Sequence, residues 1–538
     1  MSAYRIAQLG AALPSAGLAA WFWAVHRNAP APEQLDVFWR LFVFDDATAA
    51  WLFVPIVALA CVAPVQRAAL RFAGALGEHP NRTAVVSFAA FAFAARFVHQ
   101  AHPLSLDEYA GVFQSELFAN GRLFAQAPPP LLPFLLPRDM QQFFFSVSHE
   151  TGAIASGYWP GFALLLAPFS ALGVPWLLNP LIGAVTLRAL HRVALTSFGS
   201  RELAGLALLI ALGSTALTIN AASFYAMPAH ALANLAFAAL LAEPTQRRAL
   251  AAGLCGGFAL ALHNPLPHAL FAAPWIVWLA LGAERRRALP ALALGYLPLA
   301  LLLGVGWSAL LARELAESAG TAARAGELSA FLSLPNAAIV VARIAGFVKL
   351  WLWAAPAALV LALLGLRAAR RDARLAAWAA SAALTALAYF FVPFDQGHGW
   401  GYRYFHSAWL ALPLLAVSAV HVWRDSAHAR ELAGFAAACA LASLAVLTPL
   451  RALQCHGFIV RHLAQLPRAP SGTPELVLVD AATGYYTIDL IQNDPLFARR
   501  PLVMEHLGAA ANAQMRRRFF PDLVLLARDE RGEVWGRR

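Results

Sequence analysis

The chain has 538 residues, of which 60% are hydrophobic and 13% are charged, and its formal net charge is +11. Soluble domains carry about 25% charged residues, so this composition excludes an ordinary soluble protein and predicts a polytopic membrane protein. The positive charge does not indicate nucleic-acid binding, because the arginines lie in short clusters between apolar runs, where they orient helices in a bilayer.

Apolar runs recur along the whole chain. A bilayer core about 30 Å thick needs about 20 apolar residues per crossing, and this length predicts an all-α membrane protein of about thirteen spans. The predicted spans cover residues 6–25, 47–64, 82–100, 175–195, 203–220, 227–242, 250–263, 266–281, 289–311, 346–366, 375–393, 405–423 and 432–450. The apolar stretch at 157–173 is interpreted as a re-entrant or interfacial helix, because a span there would export the later arginine clusters.

The chain divides into three predicted parts. Residues 1–81 form a two-helix extension, residues 82–453 a transmembrane module with a first outer loop at 101–157, and residues 454–538 a small outer α/β domain. That last prediction follows from strand-like alternation and turn signals after Leu466.

Two adjacent acids, Asp107 and Glu108, follow the third predicted span. A carboxylate there can accept a proton from an incoming alcohol, and a second acid can raise its pKa or help to hold a divalent cation. The alternative is that Asp107, together with Ser105, caps a helix that begins near Glu108. Asp107 is the better candidate base, and the residues alone leave both interpretations open.

Other kinds of site find little support. The four cysteines form neither a disulfide framework nor a CxxC metal site, and no GxxxxGK[ST] loop for an ATP-driven pump is present. His263 and His268 are five residues apart in a proline-broken segment, which is poor spacing for two metal ligands. No residue is therefore assigned to a metal.

Four stretches carry a resemblance to a known family, and the resemblance covers most of the chain from about residue 94 to its end. They are "LDEYAGVFQSELFANGRLF", "ASGYWPGFALLLAPFSALGVPWLLNPLIGAVTL", "GWGYRYFHSAWLALPLLA" and "TIDLIQNDPLF". In this order they resemble the GT-C glycosyltransferases, the superfamily of the protein O-mannosyltransferases and the aminoarabinose transferases.

The resemblance implies a glycosyltransferase of the bacterial inner membrane that uses a polyprenyl-phosphate sugar donor and a periplasmic acceptor. The outer loops and the C-terminal domain would then be periplasmic. Three residues are predicted to bind the donor phosphate: Arg403, His398 and Lys349. Their alternatives are an arginine that extends to the membrane interface, a polar turn residue and a lysine that anchors its helix at the lipid headgroups.

The implied mechanism has Asp107 as the base and Arg403 beside the leaving phosphate, with inversion at the anomeric carbon. Glu108 would tune Asp107 or join it around a possible divalent metal ion. The predicted substrate cavity is lined by Tyr158, Trp400, Tyr402, Tyr404, His149, Glu150, His263 and His268. The aromatic residues fit an interfacial belt equally well, and His149 and Glu150 fit a solvated loop.

This chain departs from the family pattern in the loop "HNPLPHAL". Asn264 stands where related sequences carry an arginine, and His268 stands where they carry an acid, so donor specificity stays open. Two other functions remain as alternatives: a transporter or flippase of lipid-linked saccharides, and a non-catalytic assembly protein of the same fold. Few polar residues fall near the middle of the predicted spans, which favours the enzyme.

Overall fold

The computed structural model describes residues 2–315, 332–394, 397 and 399–537. The first half of the chain is mostly helical. Its helices are α1 (Ala3–Arg27), α2 (Val37–Ala60), α3 (Ala63–Glu78), α4 (Pro80–Phe93), α5 (Leu106–Ala119), α6 (Leu132–Leu135), α7 (Arg138–Phe143), α8 (Gly161–Ala171), α9 (Leu178–Phe198), α10 (Arg201–Leu212), α11 (Thr215–Asn220), α12 (Met227–Leu241) and α13 (Gln246–Ala261).

The second half continues the bundle and ends in a small mixed domain. Its helices are α14 (Leu266–Ala280), α15 (Arg285–Glu314), α16 (Ala337–Trp353), α17 (Ala358–Ala369), α18 (Ala373–Phe391), α19 (Ala411–Val422), α20 (Ala429–Leu463) and α21 (Ala509–Phe519). The helix α20 continues to Leu463, past the predicted domain boundary at residue 454.

Among the described residues, four helices are long and apolar enough to cross a membrane, namely α2, α15, α18 and α20. Two bent pairs bring the number to six if each pair is one span: α8 with Pro175–Phe198, bent by 120°, and α16 with α17, bent by 95°. The chain is thus a multi-pass membrane protein, whereas the count of about thirteen spans stays a prediction. A bend of 120° fits a broken span or a re-entrant loop, so the interpretation of residues 157–173 also stays open.

Breaks between helices and close contacts between them shape the apolar runs. The helix α8 ends at Ala171, and the chain bends by 120° before Pro175, at a turn in which Gly173 has a φ of +73°. Pro168 in α8 and Pro274 in α14 each remove a backbone donor inside a helix that continues past them. Small residues bring other helices together. A methyl group on Gly253 of α13 would lie 2.1 Å from the carbonyl oxygen of Leu292 in α15, so only glycine permits this close approach.

Two small sheets lie outside the helical bundle. The strands β1 (Ala125–Gln126), β2 (Phe145–Val147) and β3 (Ala153–Ser156) form an antiparallel sheet in the order β1-β3-β2. The strands β4 (Thr473–Val479), β5 (Leu502–Glu505), β6 (Val524–Asp529) and β7 (Gly532–Arg537) form a second sheet in the order β5-β4-β7-β6, in which only β4 and β5 are parallel. With α21 this sheet forms the predicted C-terminal α/β unit.

The two sheets share one apolar core. Phe113 of α5 and Phe145 of β2 belong to the same cluster of buried side chains as Leu476 of β4 and Met504 of β5. The C-terminal unit therefore packs on the loop that follows α4, and this contact brings the tail of the chain to the two acids at the start of α5.

Candidate active site

Glu108 holds the first turn of α5 in place. Ser105 is the N-cap, and Glu108 completes a capping box with it. The Glu108 carboxylate accepts the backbone N–H groups of Leu104 at 2.9 Å, Ser105 at 3.2 Å and Phe224 at 2.7 Å. Burial raises the pKa of Glu108 to about 7, against the lowering effect of these donors. Glu108 thus acts as a link between α5 and the segment before α12.

Asp107, one residue earlier, points at a different set of partners. Its carboxylate accepts a hydrogen bond from Arg403 Nη2 at 2.5 Å and a short one from the Tyr158 hydroxyl. The side chains of Asp107 and Arg403 are only 10% and 15% exposed. Burial raises the pKa of Asp107, but the Arg403 charge and these hydrogen bonds outweigh burial and hold the pKa below its ordinary value of 3.8. Asp107 is therefore a carboxylate, paired with a guanidinium that stays charged.

A glycine-rich turn presents Arg403. Gly401 has a φ of +91°, a conformation that side chains with a Cβ rarely adopt, and the Arg403 N–H donates to the Gly397 carbonyl at 2.7 Å. The guanidinium lies 4.3 Å from the centre of the Tyr225 ring, a cation–π contact. Arg403 Nε is buried and has no hydrogen-bond partner among the described residues. The guanidinium thus has one buried N–H donor that no described residue uses.

The loop between α13 and α14 supports Tyr158. The rings of Tyr158 and His263 lie 3.9 Å apart, and Asn264 Nδ2 donates to His263 Nδ1 at 2.7 Å. The Trp159 N–H donates to the His263 carbonyl at 3.1 Å. Burial lowers the pKa of His263 to about 4, although Asp107 raises it. His263 is thus neutral, and its bond from Asn264 leaves the ring proton on Nε2.

These groups lie at one cavity of about 420 Å³. Its wall is mostly apolar and aromatic and includes Phe162, Leu262, Leu266, Tyr389 and Tyr404. Among the described residues that line the cavity, only Asp107 and Arg403 are charged. A mainly apolar cavity with a few convergent polar groups is the usual form of a ligand site.

The predicted cavity residues divide into two groups. Tyr158, Tyr404 and His263 line the cavity. Five others do not line it. Trp400 and Tyr402 are buried elsewhere, and His149 and Glu150 are exposed. His268 is bonded to Asn234 at 2.6 Å and to Tyr296 at 2.7 Å.

Of the predicted phosphate ligands, Arg403 lies at the cavity and Lys349 does not. Lys349 is fully buried, with Nζ 2.6 Å from Asp46 Oδ2 and 3.3 Å from the Gly399 carbonyl. Asp46 also pairs with Arg451 at 2.7 Å. Lys349 is thus already bonded within the protein, and we assign it no phosphate contact. His398 lies outside the described residues.

The C-terminal unit adds an acid that the sequence did not indicate. Tyr109 donates to the Asn493 carbonyl at 2.7 Å, and Gln492 Nε2 donates to the Pro103 carbonyl at 2.8 Å. Asp489, on the same segment, lies within electrostatic reach of Asp107, and its pKa is raised to about 8 by burial and by the acids at the start of α5. The "TIDLIQNDPLF" segment thus meets the first turn of α5.

The sequence also missed two residues of the cavity wall, Tyr225 and His230. Tyr225 supports Arg403, while His230 lies in α12 and lines the cavity with both ring nitrogens buried and without a partner among the described residues. A histidine inside an apolar run was the signal that could have found His230. No group of three or more His, Cys, Asp or Glu side chains suited to a metal ion occurs in the described ranges, so the possible divalent ion stays a prediction.

No family model and no curated protein matches this sequence. Among solved structures, the chain is similar to ArnT from Cupriavidus metallidurans bound to undecaprenyl phosphate, at 15% identity and a TM-score of 0.53, over 84% of this chain and 97% of that one. The same protein in the apo state gives 15% identity, the same coverage and a TM-score of 0.49. At this identity the likeness concerns the fold alone, and it confirms the GT-C fold expected from the sequence.

Proposed function

We propose that this GT-C-fold membrane protein is a glycosyltransferase that takes a sugar from a polyprenyl-phosphate donor. One observation carries the proposal: the Asp107 carboxylate and the Arg403 guanidinium are bonded to each other, and both line one mainly apolar cavity. A base and a phosphate-binding cation thus stand side by side, as a displacement at an anomeric carbon requires.

The reaction we propose is a single displacement. The acceptor O–H gives its proton to Asp107 as the acceptor oxygen forms a bond to the anomeric carbon. The bond from that carbon to the phosphate oxygen breaks, and its electron pair leaves with the polyprenyl phosphate. Arg403 stabilises this growing negative charge. Its Nη2 contacts Asp107, and its Nε, which has no partner among the described residues, is the proposed donor to a phosphate oxygen.

Tyr158 orients the base. Burial and the neighbouring Asp107 raise the pKa of its phenol well above the ordinary 10, so Tyr158 stays protonated and donates to the carboxylate. The apolar wall of the cavity suits a polyprenyl chain, and the similar ArnT structure contains undecaprenyl phosphate. The arginine distribution supports an acceptor side and a C-terminal unit outside the cytoplasm, and the resemblance to the GT-C glycosyltransferases supports the periplasm of a bacterial inner membrane.

Release of polyprenyl phosphate tests this function. Purified protein is incubated with a panel of polyprenyl-phosphate sugars and an extract of periplasmic acceptors, and the free lipid phosphate is measured. An enzyme releases it, whereas a flippase moves the intact donor across a vesicle membrane without cleavage. Donor movement without release, or no effect on any donor, would contradict the proposal.

A further inference from the structure

The cavity has a second polar region, formed by His230, His263 and Asn264. His230 is 3% exposed, it lines the cavity, and neither of its ring nitrogens has a hydrogen-bond partner among the described residues. A buried polar group without a partner costs free energy. A bound ligand that bonds to His230 would recover that cost.

Among the described residues, the ionisable side chains that act on His230 are His263, His268 and His406, and none of these is a carboxylate. His230 thus has no described acid that would hold a second proton on its ring. His268 already uses both ring nitrogens, on Asn234 and Tyr296. A neutral imidazole offers one donor and one acceptor, which is the pattern that a single hydroxyl group satisfies.

His263 connects this region to the proposed reaction centre. It lies within electrostatic reach of both His230 and Asp107, and its ring packs on Tyr158. Asn264 occupies its Nδ1, which leaves Nε2–H as a donor. A sugar next to Asp107 would thus meet neutral hydrogen-bonding groups on this wall.

The charge of the lining decides which sugar fits. The only charged residues of the described lining, Asp107 and Arg403, neutralise each other. An ammonium or carboxylate group on the sugar would enter an apolar cavity without an opposite charge at the wall, at a considerable desolvation cost. Building on the glycosyltransferase function, we propose that the cavity selects a donor with a neutral, hydroxylated sugar, and that His230 binds one of its hydroxyl groups.

A matched series of donors tests this selection: polyprenyl-phosphate glucose, glucosamine and glucuronic acid, with the arabinose donor added as a neutral pentose. We measure both release of polyprenyl phosphate and the rise in the thermal unfolding temperature, which reports binding without turnover. A neutral donor is expected to have a kcat/KM about a hundredfold higher, or a Kd about a hundredfold lower, than both charged hexose donors. Equal or better use of a charged donor, or no stabilisation by a neutral one, would overturn the inference.

Substitution of His230 separates ligand binding from packing. His230→Phe is expected to raise KM or Kd for the neutral donor about tenfold or more. His230→Gln is expected to restore most of the lost affinity. With a deoxy donor that lacks the bound hydroxyl, wild type and His230→Phe are expected to have the same KM or Kd. The control is His191→Gln, a change of a buried histidine outside the cavity that donates to Gly77. A neutral donor that binds through His230 without any release would remove the enzyme function and leave this inference intact, whereas an equal loss with the deoxy donor would overturn it.

Discussion

Replacement of Asp107 by Asn removes the proposed base and keeps the size of the side chain. The asparagine oxygen can still accept one hydrogen bond from Arg403 or Tyr158, but it cannot take the proton of an acceptor alcohol. We expect kcat to fall by about a hundredfold to ten-thousandfold, the usual contribution of a positioned general base.

The same change affects stability and donor binding in opposite directions. The Asp107–Arg403 pair is mostly buried, so loss of the negative charge should lower the free energy of unfolding by about 3 kcal/mol, the lower end of the range for broken buried pairs. Arg403 then lacks its counter-charge, and we expect the donor phosphate to bind at least as tightly as in the wild type.

The assay combines release of polyprenyl phosphate, donor Kd and thermal unfolding in detergent. Asp139→Asn is the control, because Asp139 is an exposed acid of the same outer loop. The low pKa of Asp107 also predicts that the acid limb of kcat/KM against pH lies below pH 3.8. Turnover of Asp107→Asn within tenfold of the wild type, with the protein folded, would refute the base role.

Four further changes test neighbouring groups. Arg403→Lys keeps the charge but not the planar fork of donors, so we expect about a hundredfold lower kcat; unchanged turnover would contradict a phosphate role. Glu108→Gln places an amide NH2 against backbone N–H groups and should cost about 1–3 kcal/mol, with turnover per folded molecule retained; normal stability with lost turnover would instead favour a catalytic Glu108. Burial raises the pKa of Asp489 from 3.8 to about 8, so its contribution to stability is present below pH 3.8 and is lost as the pH rises through 8. Asp489→Asn should therefore unfold several degrees above the wild type at pH 9 and close to it near pH 4, and an equal difference at both values would be inconsistent with this shift. Lys349→Met leaves Asp46 with one cation fewer and should lower the free energy of unfolding by about 3–5 kcal/mol, partly recovered by a second change, Asp46→Asn; an unchanged melting curve would show that the pair is dispensable.

The sequence predicted the fold through its motifs better than through its hydropathy. The four stretches indicated the GT-C fold, and two of them supplied Asp107 and Arg403, which the structure brings into contact. Apolar runs alone could not give the shape of the helices, because breaks such as the one between Ala171 and Pro175 bend the chain by 120°. A run of 20 apolar residues is compatible with a straight span or with two short helices.

Side-chain roles depended on contacts between distant parts of the chain. The Glu108 carboxylate accepts the backbone N–H of Phe224, and Lys349 pairs with Asp46, which lies 303 residues away. In the sequence, His230 differs from its surroundings only as a histidine in an apolar run, since most of the cavity that it lines is formed by other parts of the chain. Such long-range partners leave no local pattern, and for this reason the acids and the lysine each kept two interpretations until the structure was known.

The ion pairs of Asp46 tie the N-terminal helices to the rest of the protein. Lys349 and Arg451 come from helices far apart in sequence, and both depend on an acid within residues 1–81. A shortened protein starting at residue 82 would leave two like charges facing each other in an apolar interior. The first helices are thus inseparable from the rest, because Asp46 also pairs with the ammonium that bonds to the Gly399 carbonyl in the turn that carries Arg403.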